Sequence, residues 1–208
     1  MSGQHKDPMV LPDVYRKSPL AVASYDWLDI TSGTGYRRYY GCASDLDAGI
    51  SYFLTTRTLD GRPVSKASTG TEIDLDFDIT FNTPAIVKGI ANVNLTYLHT
   101  TGSASQCRIY IYHVTSGGTE TQIGTALSKN TAGGVATGKV RECLTVSLTE
   151  KAFAANEKLR LTVQPIANVG VAIEVWHDPG TKLTYADVVD TRTIGTDIVL
   201  ECPFKIDL

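Results

Sequence analysis

Apolar and polar residues alternate along most of the chain from about residue 50 onward. The clearest stretch is 71–81, TEIDLDFDITF, with Ile73, Leu75, Phe77, Ile79 and Phe81 on one side and Asp74, Asp76, Asp78 and Thr80 on the other. A period of two over this length predicts a strand with one wet face, because a helix would scatter the same apolar residues round its axis. Similar runs predict strands at 50–57, 86–98, 107–114, 119–127, 139–148, 159–164, 169–177 and 197–207. Turn signals separate them: LDGRP at 59–63, NTP at 82–84, TSGG at 115–118, a Gly-rich loop at 130–138 and DPGT at 178–181. Gly89 predicts a bulge or a close approach, and Pro203 predicts an edge position or a strand end for the last strand. Glu142 is the exception on the apolar face formed by Val140, Leu144, Val146 and Leu148. Residues 149–158 read as one short helical turn capped by Thr149.

Many short strands, almost no helix and no internal repeat define an all-β class: an antiparallel β-sandwich, jelly-roll-like, with an extended N-terminal arm. The predicted division places the arm and an aromatic docking segment at 1–45 and the sandwich at 46–208. Residues 1–24 carry Pro8, Pro12 and Pro19 and no regular period. Residues 25–40, YDWLDITSGTGYRRYY, crowd five aromatics around a Gly-rich turn at 32–35. Such a segment is expected to dock onto a surface, which makes Tyr25, Trp27, Tyr36, Arg37, Arg38, Tyr39 and Tyr40 the candidate protein-interface residues. The competing expectation is that these aromatics complete the domain's own core.

Composition narrows the partners. The 208 residues carry a net charge of −3, a poor match to the phosphate backbone of nucleic acid. The 26 threonines suit half-buried strands. No apolar run of membrane-spanning length occurs, and the opening MSGQHKDPMVLPDVYRK lacks the apolar core of a signal peptide. Synthesis in a cytoplasm, without disulfides, is therefore expected. Cys42, Cys107, Cys143 and Cys202 are far apart, and Cys107, Cys143 and Cys202 read as small apolar residues on strands. The sequon Asn94-Leu95-Thr96 reads as strand sequence.

Motifs for chemistry are sparse. His5, His99, His113 and His177 have no zinc spacing, although His113 and His177 both lie on expected strands and can meet in space. Asp74, Asp76 and Asp78 begin like a calcium loop, but Ile79 stands where its turn glycine belongs and Ala85 where its bidentate glutamate belongs. They read best as a solvated row of carboxylates, with a subunit contact or a cation site as lesser readings. Ser32-Gly33-Thr34-Gly35 lacks the lysine of a phosphate-binding loop, and no GxSxG elbow occurs. The expectation is a chain that is not an enzyme, with no catalytic residues, cofactor or metal.

The segments YDWLDITSGTGYRRYYG (25–41), IDLDFDITFNTPAIVKGIANVNLTYL (73–98) and ECPFKIDL (201–208) resemble virion structural proteins of tailed bacteriophages. They look most like jelly-roll decoration, or cement, proteins bound to the outside of the head. The resemblance implies a structural protein on the capsid surface that stabilises the shell. Its implied partners are the major capsid protein and copies of itself, with a homotrimer as the first expectation. The alternative is a tail- or fibre-associated module that binds a host glycan or receptor, with Trp176 and Tyr185 near the 178–196 loop as its site.

Overall fold

The computed structural model describes residues 34–46, 49–56, 65–69, 74–99, 105–128, 138–167, 172–177, 182–184, 193–195 and 198–205. The expected arm at 1–24, Tyr25, Trp27, Tyr185 and the connections at 59–63 and 130–137 lie outside the described residues. Among the described residues every regular element is a strand. In chain order these are β1 (Thr34–Leu46), β2 (Gly49–Thr55), β3 (Ser65–Thr69), β4 (Leu75–Thr80), β5 (Ala85–His99), β6 (Ser105–Val114) and β7 (Glu120–Leu127). They continue with β8 (Gly138–Phe153), β9 (Lys158–Ala167), β10 (Ala172–Trp176), β11 (Lys182–Thr184), β12 (Thr193–Gly195) and β13 (Ile198–Lys205).

Hydrogen bonding joins them in the order β3-β10-β5-β13-β1-β2-β4-β9-β6-β7, with β8 added on the far side of β5; β11 and β12 form a separate pair. All pairings are antiparallel except β2 with β4, which meet in parallel through Phe53 and Asp78. The sheet curls so that its two halves share one core. One half, β8–β5–β13–β1, then lies over the other, β4–β9–β6–β7. The two ends meet where Gly124 on β7 approaches Val146 and Leu148 on β8. The result is the jelly-roll-like β-sandwich expected from the alternation, with one parallel junction in an otherwise antiparallel sheet.

The core follows the period of two. Leu75, Phe77 and Phe81 are buried with Ile109, Ile111, Leu159, Leu161 and Val163 from one half, and with Val93, Leu95, Val146, Ile198, Leu200 and Phe204 from the other. A chain of edge-on rings crosses it: Tyr39 with Phe204, Phe204 with Phe81, Phe81 with Phe153, and Phe153 with His113. Each buried aromatic or aliphatic side chain contributes roughly 1.5–3 kcal/mol of transfer free energy, which is why the apolar phase fixes the register of every strand.

Several expectations are corrected. Residues 149–153 continue β8, and the helical turn expected at 149–158 is a tight turn between β8 and β9. Asn156 adopts φ 69°, and Glu157 accepts the Ala154 amide at 2.6 Å. Pro203 lies in a central strand, between β1 and β5, and not at an edge. The register of β13 on β5 shifts between Glu201 and Phe204, so a missing amide hydrogen is tolerated there. Opposite it, Gly89 has φ +122°, and a side chain on it would meet the Pro203 ring at 3.4 Å. The bulge expected at Gly89 is thus the counterpart of the proline. The Gly-rich turn expected at 32–35 gives way to strand at Thr34 and Gly35, the start of β1. Residues 34–45, grouped with the docking segment, pair with β13 and β2 inside the sandwich.

Candidate binding surfaces

The candidate interface residues of β1 divide by the pleat. Gly35, Arg37, Tyr39 and Gly41 point toward the interior, and Tyr36, Arg38 and Tyr40 point out. Tyr39 is 1% exposed and packs on Phe204, which corrects its expected role as a surface anchor: it completes the core. Arg37 lies over the Phe204 ring, 5.0 Å from its centroid, and serves the interior as well. Tyr36 is 41% exposed and donates its hydroxyl hydrogen to the Ile90 carbonyl at 3.0 Å. Arg38 pairs with Glu201 on β13 at 2.6 Å and also with Tyr40, and these bonds raise its guanidinium above its ordinary pKa.

Cross-strand register extends this outer face over four strands. Tyr40 lies beside Val199, Asn94 and Cys143; Arg38 lies beside Glu201, Asn92 and Thr145. Ile90, beside Ser147, is 52% exposed. The sequence reading missed Ile90. The signal was present: Ile90 falls on the outward positions of β5, in phase with Lys88, while Val87, Ala91, Val93, Leu95 and Tyr97 face in. Its neighbour Lys88 pairs with Glu150 at 2.7 Å at the rim.

The opposite outer face holds the aspartates. Residues on β9 answer each of them. Gln164 donates to Asp74 at 3.0 Å, and Thr162 donates to Asp76 at 2.6 Å. Arg160 grips Asp78 through two nitrogens at 2.6 and 2.9 Å and reaches Asp76 at 3.1 Å and Glu120 at 2.5 Å. Lys158 adds a further bond to Asp78 at 3.2 Å. The carboxylates on this wet face have partners within the chain, and neither a subunit contact nor a cation is needed to offset them. Burial pushes the Asp78 carboxyl up, but Arg160 and then Lys158 outweigh it and hold it below the ordinary carboxylate range.

β6 continues this face. Ile109 and Ile111 are buried, so Tyr110 and Tyr112 stand outward side by side, ring centroids 5.8 Å apart and tilted by 36°. Arg108 donates to the Tyr110 hydroxyl at 3.2 Å and to Gln164 at 3.5 Å. The alternation in RIYIYH contained this pair, although the sequence reading passed it over.

The buried polar groups serve the fold. His113, 4% exposed, bonds through Nε2 to Glu157 at 2.8 Å. That bond, and then the Ala154 amide, lower the Glu157 carboxyl. His177 is fully buried against Tyr52 and Phe77, in a ring cluster separate from that of His113. Glu142, the exception on β8, meets the Tyr97 hydroxyl at 3.4 Å, and burial pushes that phenol up to about 12. Cys42, Cys107 and Cys202 are buried, and burial raises the thiols of Cys107 and Cys202. Cys143 is exposed on β8, which corrects its expected place as an apolar filler. Among the described residues no three His, Cys, Asp or Glu side chains gather as metal ligands.

No protein-family model and no curated protein matches the sequence. Solved structures do share the fold. A CocE/NonD family hydrolase from Staphylococcus aureus is 12% identical and superposes with a TM-score of 0.58 over 82% of this chain and 37% of that one. An aminopeptidase from a marine sediment Thaumarchaeota archaeon is 9% identical, with a TM-score of 0.59 over 84% of this chain and 37% of that one. The chain therefore spans little more than a third of these proteins. Infectious bursal disease virus is 12% identical over 79% of this chain and 44% of that one, with a TM-score of 0.22, too low to indicate common architecture. The hydrolase matches correct the expectation that the chain is not an enzyme. A body of this fold forms part of hydrolytic enzymes, and a bare β-sandwich without a nucleophile motif does not set a chain apart from them.

Proposed function

We propose that the chain is a virion structural protein that seats its β8–β5–β13–β1 face on the outer surface of a capsid and stabilises the shell. The observation that carries this reading is the exposed pair Tyr36 and Ile90 on a face that also carries the small uncharged polar side chains Asn92, Asn94, Thr145 and Ser147. Interfaces draw their energy from a few aromatic and apolar anchors surrounded by polar groups that exclude water. Asn, Thr and Ser at neighbouring positions make such contacts at little cost in side-chain entropy. The Arg38–Glu201 and Lys88–Glu150 pairs at the edges favour one register over others. The resemblance of three segments to decoration proteins supports the major capsid protein as the partner, with neighbouring copies, as a trimer, adding avidity on a symmetric lattice.

Quantifying the chain in purified particles tests this reading. Hundreds of copies per head are expected, and absence from the particles overturns it. Tyr36→Ala and Ile90→Lys are each expected to weaken binding to bare capsids at least tenfold, roughly 1.4 kcal/mol or more. Leu127→Lys, at a position on β7 that is 48% exposed, is expected to leave binding unchanged.

A second reading draws on the shared fold: the chain is a module of a larger hydrolytic assembly. Proteins that purify with it from its native source, assayed on aminoacyl esters and peptides, decide between the two. Hydrolytic activity that copurifies with the chain, without capsid association, favours the second.

A further inference from the structure

The outer face of β4–β9–β6–β7 is unused by the proposed docking. Its side chains stand in rows across the strands. Asp74, Gln164 and Arg108 form one row, and Asp76, Thr162 and Tyr110 the next. Asp78, Arg160 and Tyr112 form the third. We propose that this face is a binding platform for a neutral carbohydrate chain, with Tyr110 and Tyr112 as the stacking surface and the Asp74–Gln164–Arg108 row as the hydroxyl-recognising edge.

Three features of the face converge on that ligand. First, two partly exposed phenol rings lie next to one another on a rigid strand, with their ring faces tilted by only 36°. Adjacent sugar rings present flat patches of C–H bonds, and aromatic faces bind such patches because they pair apolar area with a negative π-surface. Second, the polar side chains beside the rings are planar groups already fixed in place. Gln164 is held between Arg108 and Asp74, and the Arg108 guanidinium lies 6.0 Å from the Tyr110 centroid. Planar carboxylate, amide and guanidinium groups present paired donors or acceptors that match neighbouring hydroxyls. Fixing them beforehand lowers the entropy lost on binding. Asp74 Oδ1, which accepts from Gln164, keeps a lone pair for a ligand hydroxyl.

Third, the charges select against other partners. Asp74, Asp76, Asp78 and Glu120 stand against Arg108, Lys158 and Arg160, a formal balance of −1, and most are paired within the face. A polyanion meets four carboxylates, and a polycation meets three basic groups. Tyr112 is raised by its own burial and by the neighbouring Tyr110, Glu120 and aspartates, so its ring stays an uncharged phenol. Among the described residues the face lacks the apolar centre of a protein interface: Leu127, at one end of β7, is its exposed large aliphatic residue. A neutral polyhydroxylated chain is the occupant that matches rings, planar polar groups and charge together.

Affinity electrophoresis of the full chain through gels containing laminarin, galactomannan, xyloglucan or soluble starch tests the proposal, with heparin as the anionic comparison. Retardation by at least one neutral polysaccharide is expected. Tyr110→Ala and Tyr112→Ala are each expected to weaken it tenfold or more, and Arg108→Gln by a smaller factor. Thermal unfolding confirms that each variant is folded, and wild-type tyrosine fluorescence titrated with the retained polysaccharide gives a reading that needs no variant. Tyr36→Ala, on the other face, is expected to leave retardation unchanged, so failure of capsid binding and failure of sugar binding are separable. The proposal is overturned by no retardation in any neutral gel, by retardation in heparin alone, or by retardation that persists in a folded Tyr110→Ala, Tyr112→Ala double variant. Loss of capsid binding in that double variant also overturns it, by assigning the face to a protein.

Discussion

Asp78 sits between Arg160 and Lys158, and its response to pH follows from those neighbours. The fold holds its carboxyl below the ordinary value, so across that window the unfolded chain binds more protons than the folded one. Its contribution to stability is complete above the unfolded carboxylate range, near pH 4, and disappears as pH falls through the lower folded value. Asp78→Asn is expected to remove that part of the acid-side slope in a plot of melting temperature against pH. At neutral pH it is expected to cost about 1–2 kcal/mol, because Arg160 loses its bidentate partner yet keeps Asp76 and Glu120. An unchanged acid-side slope in the variant means that the Arg160–Asp78 bond does not carry this stability. The same residues explain why three aspartates in a row are compatible with folding. The sequence displayed them as a like-charged ladder, and only the antiparallel pairing with β9 brings Thr162, Arg160 and Gln164 alongside.

At the scale of whole strands, close approaches govern what the sandwich tolerates. Gly124 on β7 lies under β8, and an added Cβ would come within 2.7 Å of both Val146 and Leu148 and 3.3 Å from the Ser147 carbonyl. Gly124→Ala is expected to cost about 1–3 kcal/mol by overpacking, which lowers the melting temperature by several degrees in calorimetry. A melting temperature equal to wild type would mean that the β7–β8 seam is looser than these distances. Such contacts also explain which strands were legible in the sequence. β4, β5, β6, β9 and β13 announce themselves because their inward positions are large and apolar. β1 does not: its inward positions are Gly35, Arg37, Tyr39 and Gly41, which show no apolar period. Gly41 is there because a Cβ would press against Ile198 at 3.0 Å and Phe77 at 3.2 Å, a constraint set by two strands distant in sequence. Pro203 misled for the same reason. Its place in a central strand depends on the bulge at Gly89, more than a hundred residues earlier. The candidate sites were legible in part: the phase of RIYIYH already exposed both tyrosines, whereas the pairing of Tyr36 with Ile90 required the β1–β13–β5 order.

For the whole molecule, the two outer faces make separable claims, and one native atom reports on the first of them. Cys143 stands on β8 in the row of Asn94, Val199 and Tyr40, on the face proposed to dock. It is exposed, whereas Cys42, Cys107 and Cys202 are buried. Burial also raises the thiols of Cys107 and Cys202, which keeps them protonated and unreactive. A maleimide is therefore expected to modify one thiol per folded chain quickly and all four only after unfolding. The molecule needs no redesign for this measurement, because the probe position is already part of the face. If that face seats on a capsid, labelling of Cys143 is expected to slow tenfold or more when the chain is bound to particles. Saturating polysaccharide, bound across the sandwich at Tyr110 and Tyr112, is expected to leave the rate unchanged. A Cys143 that reacts equally fast on and off the particle would place the contact elsewhere on the sandwich, and protection by polysaccharide would mean that the faces are not independent.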